Sequence, residues 1–472
     1  MVTTLSNENE ALDALTSIVL PLFENERPKL DRLDRWWRWN PEPIRISARK
    51  MTPEHRDMRN IGETPWLGLV VTTLAQTLYL EGVDVPNDTD THDVAKRVWL
   101  PWQRNGMRRR QIALHREAIA YGSAYAAVSY RDTGDGNMAV IDCWSPRDSL
   151  AVYTDPAKDV FPELFMRRRR IDGVTNEIEL WDDHNVFVWA YKTDETKWTF
   201  IGSRPHGGLD ADGRPVCPVV RYANQMDLQG RTPGEVEPYI RMASRLNKDN
   251  YDRLLAQHYN SWKVKTATGL DMSNMSDSQR DEQKLKIAHE DVLAGGDGVQ
   301  FGTLPETSLD NLVNAKQSDV EELAAVSQTP TTAFGKMVNV GDAGIEESRA
   351  GFYAKRDERR ETFGVSHMEL LRLCSAVEGR VDDSRRFDLE PMWKDTDTRT
   401  ISQTVDALGK ATQMLGVPQE LLWDLLPSVS KTQADSWRDY AADHPSPDVL
   451  AAQVYQAQLT PNAGGDADGV DR

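Results

Sequence analysis

The stretch TPTTAFGKMVNVGDAGIEESRA, from Thr329 to Ala350, lies between two segments that both read as long helices and looks like neither. Thr, Gly, Asn and Val follow one another there with no helical stripe. On its N-terminal side, TSLDNLVNAKQSDVEELAAVSQ places Leu309, Leu312, Val313, Val320, Leu323 and Ala324 on one helical face. That helix should stop at Thr329-Pro330, because a residue before proline is pushed out of the helical region. On the other side Asp342 is placed to cap GIEESRAGFYAKRDERRETFGVSHMELLRLCSAVEG, a helix continuing to Gly379. At 1.5 Å per residue such a helix spans roughly 50 Å. Its stripe fails through AKRDERRETFG, where both faces carry charge, so it is not a heptad coiled coil.

Upstream of this pair, RTPGEVEPYIRMASRLNKDNYDRLLAQHYNSW opens with Thr232, Pro233 and Glu235, the pattern of a capping box with proline at the first helical position. Ile240, Ala243, Leu246, Tyr251, Leu254, Leu255 and His258 then recur at helical spacing. Between the two helices, Gly269 to Gly298 carries seven acids and three bases and reads as a small exposed acidic insert. Earlier still, the period changes to that of strands. YGSAYAAVSYRD, MAVIDCWSP, SLAVYTD, ELFMRRRRI, NEIELWDDHNVFVWAYKT and KWTFIGS are short, aromatic and β-branched, bounded by Asp-Gly, Pro and Gly. The Arg167–Arg170 run is expected on a solvated edge strand. Residues 1–40 read as a helix with Leu12, Leu15, Val19 and Leu22 apolar, followed by a packing RWWRWN knot. A second helix is expected from TPWLGL to Gly82, and a third through DVAKRVWLPWQRNGMRRRQIALHREAIA, broken at Pro101 and Gly106. Beyond Gly379 come a strand in RRFDLEPMWKD, two further helical segments and a Gly/Asp-rich tail expected to be disordered. The fold class is α+β, mainly helical.

The bulk numbers narrow the function. At 472 residues the chain can bury a sizeable core, and its net charge of −18 disfavours tight binding of nucleic acid through phosphate neutralisation. Acidity does not disfavour a surface past which DNA moves without sticking. No run is apolar enough to cross a bilayer, and the N-terminus lacks a secretory pattern. Cys143, Cys217 and Cys374 lie far apart and read as core thiols. AFGKM and LGKAT lack the earlier glycine of a P-loop; HExxH and GxSxG are absent. His115, beside three arginines, reads as a structural histidine. No cofactor and no metal site is expected, and the chemistry looks inert.

The order of these segments resembles the portal proteins of tailed bacteriophages. WQRNGMRRRQIALHREAIAYGSAYAAV, with Asn105, Tyr121, Gly122, Ala124 and Tyr125, is similar to the family's wing. PVCPVVRYANQMDLQGRTPGEVEPYI, with Asn224, is similar to its approach to the first stem helix. ELAAVSQTPTTAFG resembles the end of the second stem helix, LEPMWKD with Trp393 a strand before the crown, and DALGKATQMLGVPQELLWDLL the crown's start. The resemblance implies a portal fold in a ring, usually of twelve subunits, at one capsid vertex of the virion. It implies a wing at 1–231, stem helices at 232–262 and 307–328 and a clip at 263–306. It further implies a tunnel loop at 329–344, a long wing helix at 345–379, a return strand at 380–395, a crown at 396–458 and a tail at 459–472. Double-stranded DNA would pass through the channel during packaging and ejection. The terminase large subunit and then a head-tail adaptor would dock on the clip, and major capsid and scaffold proteins would surround the ring; no membrane is implied.

On that resemblance Thr331, Thr332, Lys336, Asn339 and Gly341 belong to the tunnel loop, where small residues and glycines let a constriction yield. Lys336 is its only base. Asp249, Asp252, Asp319, Glu321 and Glu322 would be stem carboxylates that repel the duplex from the wall. Asp277, Asp281, Glu282 and Glu290 would offer the clip's acidic excess to a basic partner. Two alternatives stay open: a metal-dependent DNA-processing enzyme, and another structural head protein without a channel.

Overall fold

The protein is described by a computed structural model that covers residues 5–44, 53–85, 91–134, 136–192, 197–261, 265–268, 300–303, 308–335, 342–396, 401–426, 429 and 431–444. Helix α1 (Glu8–Ala14) starts where the Asn7 side chain accepts the amide hydrogens of Asn9 and Glu10. It passes through a π turn at Leu15–Val19 into α2 (Leu20–Trp37). The extra residue of the π turn rotates the apolar face. Leu15, Val19 and Phe23 are buried, whereas Leu22, expected on the same stripe, is 46% exposed.

After α3 (Pro53–Ile61) and α4 (Trp66–Ala75), the helix expected to reach Gly82 has already ended, and Leu80–Asp84 forms strand β1. The cause is distant in sequence: the Gln111 carboxamide bonds both the N–H (2.9 Å) and the C=O (3.1 Å) of Leu80, which holds the backbone extended. Helix α5 (Thr91–Arg104) runs through Pro101 instead of breaking there. The carbonyl that proline leaves without a donor is that of Arg97, and the Arg380 guanidinium donates to it at 3.1 Å. The break falls at Gly106, in a left-handed conformation, before α6 (Met107–Tyr121).

The strands form two sheets. β2 (Ser123–Asp132), β3 (Asn137–Trp144) and β9 (Val219–Ala223) make a three-stranded antiparallel sheet in the order β3-β2-β9. β4 (Ser149–Val152), β5 (Leu164–Arg170), β6 (Thr175–Trp181), β7 (Asn185–Lys192) and β8 (Trp198–Pro205) follow one another in a five-stranded meander. One face of the meander packs on Ala11, Leu15, Val19 and Phe23; the other packs through Phe165, Trp181 and Val188 onto Tyr125, Ala127 and Val219 of the smaller sheet. The free edge of β3 is covered by side chains. Asn105 bonds the Ala139 C=O (3.0 Å) and the Ile141 N–H (3.0 Å), Glu378 accepts from Ala139 (3.1 Å), and Arg110 donates to the Ile141 C=O (2.5 Å).

The arginine run does not lie on an edge. β5 is flanked by β4 and β6, and Arg167 is ion-paired with Glu179 at 2.8 Å while its guanidinium lies 4.1 Å from the Trp144 ring centroid. Only Arg169 and Arg170, beyond the end of β4, are exposed.

The lower part of the chain is helical. α7 (Ile240–Ser261) leads to β10 (Lys265–Thr268), which pairs antiparallel with β11 (Gln300–Thr303); α8 (Asp310–Val326), α9 (Asp342–Val377), α10 (Val381–Ser384) and β12 (Glu390–Trp393) follow, with β12 beside β1. At 36 residues, α9 is about 54 Å long, as its sequence requires. The described residues from Trp393 to His444 form a separate compact unit holding α11 (Ile401–Leu415), a 3-10 turn at Gln419–Leu425 and α12 (Lys431–Asp443), where the Trp423 and Trp437 rings meet edge to face at 6.2 Å.

Two contacts hold the first unit to one arrangement. His115 on α6 and His367 on α9 are fully buried, their Nε2 atoms 2.9 Å apart. The Leu78 carbonyl can only accept, so His115 Nδ1 donates to it at 3.0 Å. His115 Nε2 then accepts from His367 Nε2, and His367 Nδ1 accepts from the Tyr222 hydroxyl at 2.8 Å. Burial pushes His115 down to about 4 and, with His115 beside it, lowers His367 well below the usual range. The three cysteines are free thiols, Cys217 and Cys374 buried. The second contact is at Gly122, which ends α6 with φ +103 against the segment Thr232–Gly234: a Cβ there would lie 1.8 Å from the Thr232 carbonyl oxygen.

Gly122→Ala should therefore cost at least about 3 kcal/mol in denaturant unfolding, from strain and backbone overlap together. Acid should act through the histidines. His115 has a depressed folded value, so its contribution is complete above its unfolded value near 6.5 and is lost as pH falls toward about 4. That amounts to about 3 kcal/mol, and denaturant midpoints followed from pH 7 to 4.5 should fall less steeply in His115→Gln.

Candidate functional site

The candidate site is the region around α7, α8 and the start of the loop after α8. Side-chain pairs fix the two helices as antiparallel: Tyr239 reaches Val326, and Arg245 reaches Asp319 (2.7 Å) and Glu322 (2.5 Å). Helix α7 does not begin at Pro233. A 3-10 turn at Glu237–Tyr239 precedes its first residue, Ile240, and the capping box expected from Thr232 and Glu235 does not form. Glu235 is taken elsewhere. Its amide donates to the Ile119 carbonyl at 2.7 Å, which the close approach of Gly122 and Gly234 permits.

The Glu235 carboxylate is buried between two cations of α9. It lies 2.5 Å from the Lys355 ammonium and 3.1 Å from the Arg359 guanidinium, with Asn224 donating at 3.3 Å. Arg359, with no exposure, also donates to the Asn224 carboxamide oxygen at 2.8 Å. Lys355 donates to the Ser327 carbonyl at 2.9 Å. Desolvation lowers the Lys355 value, and Glu235 opposes that shift. The charged faces of AKRDERRETFG are thus not both solvated. Phe352, Lys355, Arg359 and Phe363 make one buried stripe at spacings of three and four, in which two cations stand where apolar residues are expected.

Along the α7–α8 seam, Asp249 is pushed up to about 6 by burial first and then by its hydrogen bond to Asp319 and the charges of Asp319 and Asp252, against Arg245. Asp252 is paired with Lys248 one turn earlier. Of the five carboxylates expected to line a stem, then, Asp319 and Glu322 share Arg245, Asp252 has Lys248, Asp249 faces Asp319, and Glu321 accepts from Gln317 at 3.4 Å. Val313, expected on the buried stripe of α8, is 46% exposed; only Leu323 and Ala324 of that stripe are buried. Thr331 and Thr332 lie in a 3-10 turn, Thr331–Phe334, whose Phe334 ring sits 5.9 Å from that of Trp66. Lys336, Asn339, Gly341, Asp277, Asp281, Glu282 and Glu290 lie outside the described residues, as does the tail at 459–472.

Sequence reasoning missed Glu235, Lys355 and Arg359. The signal was present as the i, i+4 spacing of Lys355 and Arg359 between two phenylalanines, which is a core stripe interrupted by charge.

With this geometry in place, the comparison with known families is decisive. The family described as "Phage portal protein, SPP1 Gp6-like" matches residues 18–444. The chain belongs to that family of phage portal proteins. No curated protein matches it. Membership points to a structural protein of the virion's portal vertex and to self-assembly, not to an enzyme. Among the described residues of this portal protein, no group of three or more His, Cys, Asp or Glu side chains could hold a metal ion, and no helix is long and apolar enough to cross a membrane.

Asp249 has a raised folded value, so the α7–α8 contact it contributes is complete below pH about 4 and is lost as pH rises through about 6. Asp249→Asn keeps a donor to Asp319 at every pH. It should stabilise the protein at pH 8 by about 1 kcal/mol, allowing for solvent screening of this partly exposed group, and leave pH 4 unchanged; calorimetric midpoints at the two pH values check this.

Proposed function

We propose that this portal protein assembles into a closed ring, a dodecamer by analogy with its family, at one capsid vertex, and that double-stranded DNA enters and leaves the head through its centre. The observation that carries this is the antiparallel α7–α8 hairpin running through a short loop into the 36-residue α9, inside a chain matched to the portal family over residues 18–444. In this reading α7 and α8 are the stem and the loop between α8 and α9, with Thr331, Thr332, Lys336, Asn339 and Gly341, projects into the channel. The strand pair β10–β11 is the base of the clip, on which terminase and then the head-tail adaptor dock through Asp277, Asp281, Glu282 and Glu290. Residues 396–458 are the crown.

Electrostatics refine the stem's role. Helices α7 and α8 carry six acids and five bases, and several of them are paired with one another. With acids and bases so nearly balanced, such a wall is close to neutral. It neither grips phosphate nor strongly expels it, which suits a duplex that must slide.

Light scattering and negative-stain images of the purified protein test the proposal. A ring of about twelve subunits with a hole wide enough for duplex, which is about 20 Å across, is expected. Assembly without a central hole would favour another head protein, and a dimer that cleaves DNA with Mg²⁺ would overturn the portal reading. In the ring, Lys336→Ala should leave assembly unchanged and reduce the salt dependence of DNA passage.

A further inference from the structure

Helix α8 ends in a Schellman arrangement. Gln328 takes the left-handed conformation (φ +50), its amide donates to the Ala325 carbonyl at 3.2 Å, and the Thr329 amide donates to the Ala324 carbonyl at 3.0 Å. That accounts for two of the last carbonyls of the helix. The next, on Val326, cannot be served in the same way, because the residue four beyond it is Pro330, which has no N–H, and the one on Ser327 has only the Thr329 hydroxyl, at 3.4 Å, as a local donor. Each is met by a side chain from a different element. The Tyr239 hydroxyl, from the turn that leads into α7, donates to Val326 at 3.2 Å. The Lys355 ammonium, from α9, donates to Ser327 at 2.9 Å and also favours the negative end of the helix dipole. Ser327 and Thr329 are themselves buried, and their hydroxyls are 3.0 Å apart.

We propose that Tyr239 and Lys355 form a two-point clamp on the root of the loop that follows α8. The clamp fixes where the loop leaves α8. The proposal rests on the portal reading for the loop's task, but the clamp itself is a property of this chain. Lys355 lies thirteen residues into α9, so about 20 Å of that helix extends past the clamp on the loop side. The bond from Lys355 to Ser327 ties these turns of α9 to the end of α8. Glu235 holds Lys355 in place at 2.5 Å and is held in turn by Arg359 and Asn224. Lys355 and Tyr239 are thus positioning residues for the loop.

The test is hydrogen exchange on the full-length assembled protein, read by mass spectrometry, for wild type, Lys355→Met and Tyr239→Phe. Methionine keeps an apolar stem but cannot donate, and Glu235 keeps Arg359 and Asn224. Amides of 324–335 should exchange about tenfold faster in Lys355→Met and a few-fold faster in Tyr239→Phe, while β5–β7 and α6 keep their wild-type protection. In heads carrying Lys355→Met rings, ring incorporation should match wild type while the fraction of heads filled with DNA falls. Unchanged exchange at 324–335 in folded Lys355→Met overturns the clamp, and so does faster exchange there with normal filling. If Lys355→Met does not fold, Tyr239→Phe decides alone: local loosening supports the clamp and its absence overturns it. Failure of the wild type to form a ring would instead sink the proposed ring and channel, whatever the exchange pattern.

Discussion

One buried carboxylate organises the lower half of this molecule. Glu235 has two cations and an amide around it and almost no contact with water. Taking a carboxylate, an ammonium and a guanidinium out of water costs several kcal/mol each, and mutual attraction offsets this only where the remaining donors and acceptors are also matched. Here they largely are: Asn224 bonds both Glu235 and Arg359, and Lys355 spends a further proton on Ser327. Such a cluster adds little net stability compared with an apolar core of the same volume. Its effect is to make one arrangement of four chain segments much better than any neighbouring one. The end of β9, the segment before α7, the end of α8 and the middle of α9 must all be in register for every charge to be met.

The same constraint explains why Gly122 and Gly234 lie back to back. The Glu235 side chain reaches the cations only if its backbone lies against the end of α6, and no Cβ fits between the two segments. Local backbone geometry and long-range charge pairing therefore specify one another. The buried histidine pair does similar work one step higher along α9, joining it to α6 and β9 by a directed chain of hydrogen bonds.

Much of the fold was legible in the residues. The strands from Ser123 to Pro205 are short, aromatic and β-branched and are punctuated by turns, and the length of α9 follows from its uninterrupted run between Asp342 and Val377. The structural role of His115 was legible from its apolar and basic neighbours. What could not be read had distant causes. Strand β1 depends on Gln111, the continuity of α5 through Pro101 depends on Arg380, and the place of Arg167 within the sheet depends on Glu179 and Trp144. The Thr232–Glu235 pattern is a genuine capping signal locally, but a tertiary ion pair outbids the helix for Glu235. At the candidate site, the carboxylates of α7 and α8 were visible as residue types. Their pairing with Arg245 and Lys248 was not, because it depends on how two helices far apart in sequence are set against each other.

The covered edge of β3 has a consequence for any particle in which many copies lie side by side. An open strand edge is a template: it offers a row of N–H and C=O groups to whatever extended chain drifts past, and the nearest such chain in a crowded assembly is the neighbour's. With Asn105, Arg110 and Glu378 occupying Ala139 and Ile141, the backbone groups a foreign strand would need there are already bonded. Copies can be pressed together at high local concentration without that sheet fusing across the boundary, so that contact between them is decided by side chains, whose pairing can discriminate, and not by backbone, whose pairing cannot.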